Sequence, residues 1–183
     1  MNRRDFLWVP VLLAGWQAAG AHTPYRQWVV YRKKHLLIGA HRTDPTTYDL
    51  AKKLAAVLAH NLPKSRCRVA RAPTAQRLAS LIGTDQLDVA VLNPADAIAM
   101  LNGSGRFEPY GPIAIRRLAS IGGRVLVAHE RLPARHAWLI AATLEQTQTI
   151  AMRQLELDPD ISWHSGALSY LRGKPEPGSE SVS

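Results

Sequence analysis

One stretch, LDVAVLNPADAIAM from Leu87 to Met100, constrains this chain more than any other, because a short apolar run turns directly into a capped helix. Leu87, Val89, Ala90, Val91 and Leu92 make the pattern of a strand covered on both faces. Asn93 stands where an N-cap belongs, Pro94 at the first helical position, and Asp96 in the first turn, where a negative charge suits the helix dipole. A strand C-terminus and a helix N-terminus therefore share one polar corner. Such a corner is good capping, and in open α/β sheets it is also where ligands collect, on the free N–H groups of the helix. Both readings stand for this stretch.

The flanking chain repeats the device. Leu36 to Ala40 reads as a short strand, His41-Arg42-Thr43 as a polar turn, and Asp44-Pro45 opens a helix to about Asn61 whose Ala51, Leu54, Ala55 and Leu58 form an apolar stripe. A strand from Cys67 to Arg71 follows. Ala72-Pro73-Thr74 then starts a helix through Leu78 and Leu81 that Gly83 stops. The helix after the central strand, Asp88 to Leu92, ends at Asn102-Gly103.

Three strand-to-helix corners, HRTDPTTYD, APTAQ and NPAD, thus recur. In a parallel sheet with right-handed crossovers they fall on one edge and their helix N-termini converge. The hydroxyls and amide gathered there, on Thr46, Thr47, Tyr48, Thr74 and Asn93, make a candidate shelf for a small anion.

After Gly103 the pattern changes. Ser104 to Pro112 reads as a loop, and Ile113 to Ile121 and Val125 to His129 as two strands joined at Gly122-Gly123, a hairpin signal. Arg131-Leu132-Pro133 opens a helix with Ala137, Ile140, Ala141, Leu144, Ala151 and Leu155 in phase, ending before Asp158-Pro159. A turn and short helix, ISWHSGALSYLRG, follow from Ile161. Gln27 to Tyr31 reads as a first edge strand. The fold class expected is α/β, a single three-layer lobe with a mainly parallel sheet.

Residues 1–21 read as a signal peptide: Arg3 and Arg4, an apolar run, then Ala19-Gly20-Ala21 as a small-x-small cleavage pattern. NRRDFL resembles a twin-arginine export signal, although Trp8 stands where a lysine is usual, so the twin-arginine and general secretory routes both remain open. The expected organisation is therefore a leader over 1–21, one domain over 22–172 and a disordered tail over 173–183, with a periplasmic location. Removing the leader leaves 162 residues with 21 basic and 13 acidic ones, a net charge of +8 that favours an anionic ligand, an acidic partner or a membrane surface. Cys67, the single cysteine, has no internal disulfide partner and reads as a buried, inert thiol.

LIGAHRTDPTTYDLAKKLAAVLAHNLP, followed by RAPTAQRLASLIGTDQLDVAVLNPADAIAMLNGSGRF, resembles the first lobe of the TAXI-type periplasmic solute-binding subunits that serve TRAP transporters. VLVAHERLPARHAWLIAATL resembles the late strand and helix of the same proteins, and WHSGALSYLR their C-terminal motif. The resemblance implies a periplasmic-binding-protein-like fold of type II, a small organic anion such as a dicarboxylate or amino acid, and TRAP membrane subunits as partners. The family's second lobe has no counterpart, since Arg117 to Gly123 leads almost directly into the late strand. At the first corner His41, Arg42, Asp44 and Pro45 replace the family's glycines, which let backbone approach a ligand closely. An accessory module docking to another periplasmic protein is the alternative.

Enzymatic chemistry has little to stand on. None of the seven histidines forms an HxxxH pair, and no nucleophile elbow or Walker loop is present, so no catalytic residue, metal or cofactor is expected. His22 would be the first residue after cleavage, where amine and imidazole can chelate copper, but the second histidine of such a brace usually sits on a β-sandwich. Arg66, Arg68, Arg71 and Arg77, with Arg116, Arg117 and Arg124, form basic groups, yet export and the lack of interleaved aromatic residues argue against nucleic acid.

Overall fold

Period-two burial sets the architecture. Along the central strand β3 (Val89–Leu92), Val89 and Val91 face one apolar cluster while Ala90 and Leu92 face another, all four without solvent exposure. The computed structural model describes residues 35–147 and 160–178. The leader 1–21, the expected edge strand at Gln27–Tyr31, the expected helix beyond Thr147 to Leu155, and residues 179–183 lie outside the described residues.

The strands β1 (Leu37–His41), β2 (Arg68–Ala72), β3, β4 (Ile115–Ile121) and β5 (Arg124–His129) form one sheet in the order β2-β1-β3-β5-β4. One face carries α1 (Pro45–Asn61), α4 (Ala134–Gln146) and α5 (Ser165–Leu171). The other carries α2 (Ala75–Gly83), α3 (Pro94–Asn102) and a 3-10 helix, Gly105–Tyr110. Helices on both faces explain why β3 reads as an unbroken apolar run. Gly39 of β1 lies on the second face, where a Cβ would overlap the side-chain tips of Leu87 and Leu78, so a glycine admits the close approach of α2.

The expectation of a mainly parallel sheet is corrected: β1 pairs in parallel with β2 and β3, but β5 is antiparallel to both β3 and β4. The hairpin is the cause. Gly122 and Gly123 have φ of +54° and +74°, the two left-handed residues that a tight two-residue reversal demands, and the returning strand β5 inserts beside β3. The expected loop Ser104 to Pro112 is corrected too. It holds the 3-10 helix, which forms because Phe107 is driven fully into the second core.

Other boundaries shift little. β2 starts one residue later than expected, leaving Cys67 buried just before it, its thiol pushed up to about 12 by burial. Within the expected disordered tail, residues 173–178 run against α4: the Trp138 indole N–H donates to the Lys174 carbonyl at 3.0 Å and Arg135 pairs with Glu176 at 2.5 Å. Among the described residues no helix is long and apolar enough to cross a membrane.

Candidate functional site

Because β2, β1 and β3 are adjacent and parallel, their C-termini and the N-termini of α2, α1 and α3 meet along one sheet edge, and the Arg42 amide joins the first two corners by donating to the Ala72 carbonyl at 2.9 Å. The expected convergence is therefore present. Each capping side chain is spent on its own helix, however. Asp44 Oδ1 accepts from the Thr46 amide at 3.0 Å and the Thr47 amide at 3.4 Å, Thr74 Oγ1 from the Arg77 amide at 3.2 Å, and Asn93 Oδ1 from the Asp96 amide at 2.8 Å.

The remaining candidate groups divide by depth. Thr46 is exposed, whereas Thr47 is fully buried and its hydroxyl donates to the Asp44 carbonyl at 2.8 Å. The Tyr48 ring takes Lys52 Nζ at 4.9 Å and Arg71 Cζ at 4.8 Å from its centroid. Asn93 Nδ2 donates to Asp96 Oδ2 at 2.7 Å, and Asp96 Oδ1 accepts from Arg106.

Sequence reasoning missed three contributors. Arg124 starts β5, where Val125 pairs with Leu92, so the hairpin turn returns to this same edge and Arg124 Nε lies 3.3 Å from Asp44 Oδ2. Arg106 reaches Asp96 from the 3-10 helix. His41, expected as part of a polar turn, is the last residue of β1 and only 2% exposed. Its Nδ1 lies 2.6 Å from Thr43 Oγ1, while its buried Nε2 makes no hydrogen bond. The one signal available was position: a polar residue ending an apolar strand between two others is enclosed by both.

Burial holds the His41 imidazole below its ordinary range, against the pull of Asp44 and Asp96 and with a push from Arg106. For Asp44, burial alone would raise the carboxyl, but the Thr47 and Thr46 amides and Arg124 outweigh it and hold it below the usual carboxylate range. The rim thus combines a buried imidazole, held low and with one unspent nitrogen, the carboxyl groups of Asp44 and Asp96, and the guanidinium groups of Arg71, Arg106 and Arg124. Two acids against three arginines leave it positive, suited to hydrogen bonding and to holding an anion. Among the described residues no three or more His, Cys, Asp or Glu side chains are grouped to hold a metal ion.

His129 and His164 are also held low, burial being the first cause in both. A histidine whose folded pKa is depressed contributes stability that is present above its unfolded value, 6.5, and is lost as pH falls through the folded value. The melting temperature is therefore expected to be level above about pH 7 and to fall steadily on acidification below 6.5. His41→Gln should make that fall shallower. Thermal melts followed by circular dichroism between about pH 7.5 and 5 check this, and a melting temperature that does not change with pH would refute it.

Compared with protein-family models and with curated protein sequences, the chain matches none.

Proposed function

We propose that this chain is a periplasmic solute-binding-like protein, a single lobe of type II fold resembling the TAXI subunits, that takes a small organic anion at its three-corner rim for a TRAP-type transporter. It acts without catalysis. The observation that carries this reading is the meeting of three helix N-termini at one edge, beside three arginines and a buried imidazole nitrogen with no hydrogen-bond partner. The five-stranded sheet between two helix layers is compatible with one binding lobe.

The filled caps favour a second reading. Asp44, Thr74 and Asn93 already occupy helix-terminal amides, so an anion must rely on the arginines and His41, or displace a cap. Among the described residues no second lobe faces the rim, so a small ligand there is half solvated, and the affinity expected is about micromolar to millimolar, roughly −8 to −4 kcal/mol. A protein partner can serve as the missing cover, which makes the accessory module the alternative.

Titration calorimetry of residues 22–183 with a panel of dicarboxylates and amino acids separates the two. The binder gives saturable heats that Asn93→Ala and Arg106→Gln each abolish. Loss of the Asn93 cap costs about 1 kcal/mol of stability, and circular dichroism verifies that both variants remain folded. Absence of heat across the panel would overturn anion binding in favour of the accessory module.

A further inference from the structure

Between Asp49 and Asp85 the chain carries seven cations and no acidic residue: Lys52, Lys53, Lys64, Arg66, Arg68, Arg71 and Arg77, all exposed. The fold gathers them along one border. Lys52 and Lys53 lie on α1, Lys64 in the 3-10 turn Pro63–Ser65, Arg68 and Arg71 on β2, and Arg77 in the first turn of α2. Among the described residues, Lys52 is the one of the seven that forms an ion pair, with Asp49 at 2.8 Å. Arg71 and Lys52 flank the same Tyr48 ring, so the cations of the strand and of the helix are contiguous.

β2 is also an edge strand, with β1 on its inner side and no strand on its outer side among the described residues. The Arg68 amide donates to the Leu36 carbonyl and the Ala72 carbonyl accepts from the Arg42 amide, which fixes the parity of the ladder. The even-numbered residues of β2 bond inward, so the N–H and C=O groups of Val69 and Arg71 point outward. An open edge of this kind is a template for another extended chain.

Charge selects what can use it. A second copy of this chain would bring the same arginines edge to edge, and residues 22–34 contain four cations and no acid. Both are repelled. We propose that the outer edge of β2 is a docking site for an acidic, extended segment of a protein partner, which adds as a further strand by bonding to Val69 and Arg71 and sets Asp or Glu side chains against Arg68 and Arg71. This surface borders the anion rim, with Arg71 common to both, but strand addition along the β2 backbone requires no anion at the rim.

The test uses residues 22–183 and a fluorescein-labelled heptapeptide of Asp and Thr with Asp on both faces of the strand, because Arg68 and Arg71, three residues apart, project to opposite faces; binding is followed by fluorescence polarisation. Saturable binding is expected, weakening at least about tenfold between 50 and 300 mM salt because exposed charges are screened. The double variant Arg68→Glu/Arg71→Glu should weaken it at least about tenfold, and the milder Arg68→Ser/Arg71→Ser should fall between. Arg135→Ser, on α4, should leave it unchanged. The same peptide with N-methylated backbone amides keeps its charge but cannot form the ladder, and its binding should be lost. Equal binding of the methylated peptide, or indifference to both double variants, overturns the proposal. So does absence of peptide binding together with sedimentation on phosphatidylglycerol vesicles, which would assign the border to a membrane surface.

Discussion

Gly166→Ala is expected to lower stability by about 3 kcal/mol, the upper part of the range for overpacking a core, and the melting temperature by roughly 6 to 12 °C for a chain of this size. A Cβ at position 166 would coincide with the backbone carbonyl of Ala134, the first residue of α4, and would lie 3.0 Å from its Cα. Backbone cannot swing aside as a side-chain tip can, so α5 must move off α4. That motion would uncover Ala167, which has no exposure, and would part the edge-to-face contact of Trp138 and Tyr170, whose centroids are 5.3 Å apart. Gly83→Ala is the matched control. Its Cβ would meet Ile113 at 3.7 Å, ordinary contact, and its expected change is small and stabilising if anything. Thermal or urea melts of the pair decide the matter, and equal melting would show that α5 does not depend on this close approach.

Arg117→Ala is expected to cost a similar amount, about 3 kcal/mol, from a lost charge-assisted hydrogen bond and the cavity left behind. Arg117 is only 2% exposed, its Nη2 donates to the Ile161 carbonyl at 2.8 Å, and its Cζ lies 5.2 Å from the centroid of the Trp163 ring. The backbone reinforces the side chain: the Arg117 amide donates to the Ser162 carbonyl at 2.9 Å and the His164 amide to the Arg117 carbonyl at 2.8 Å. This residue therefore ties the segment preceding α5 to the outer edge of β4. Arg117→Lys should rescue little, because an ammonium lacks the planar fork that stacks on indole while donating sideways. The measurements are a melt together with hydrogen exchange at the His164 amide. Full rescue by lysine, or unchanged exchange in Arg117→Ala, would contradict the assignment.

Arg117 also shows where the sequence stops being readable. Arg116, Arg117 and Arg124 are one basic group in the chain, yet Arg116 pairs with Glu130 at the surface, Arg117 is buried, and Arg124 reaches Asp44 at the rim. Alternation along β4 cannot separate the first two reliably, since the register shifts between Arg117 and Ala119. The fate of Arg124 depends on β5 inserting beside β3, a long-range pairing that no local pattern encodes. Local chemistry was legible where it is self-contained. Asp44, Thr74 and Asn93 cap the helices they precede, and the Gly122-Gly123 turn closes the hairpin, because caps and tight turns are decided within a few residues. The convergence of the three corners was legible as well, as it follows from parallel neighbours and short connections. What the individual groups at that edge do was less so. Thr47 is buried and His41 carries the unspent nitrogen, a division set by packing from the helices above.

A backbone-amide NMR titration of residues 22–183 with succinate and with glutamate tests the rim as an anion site most directly. The expected result is saturable shifts concentrated at residues 41–48, 72–77 and 93–97, with Arg124 and the Nε2 resonance of His41 moving at the same midpoint. A titration that leaves these resonances in place, or moves only the outer edge of β2, would contradict it.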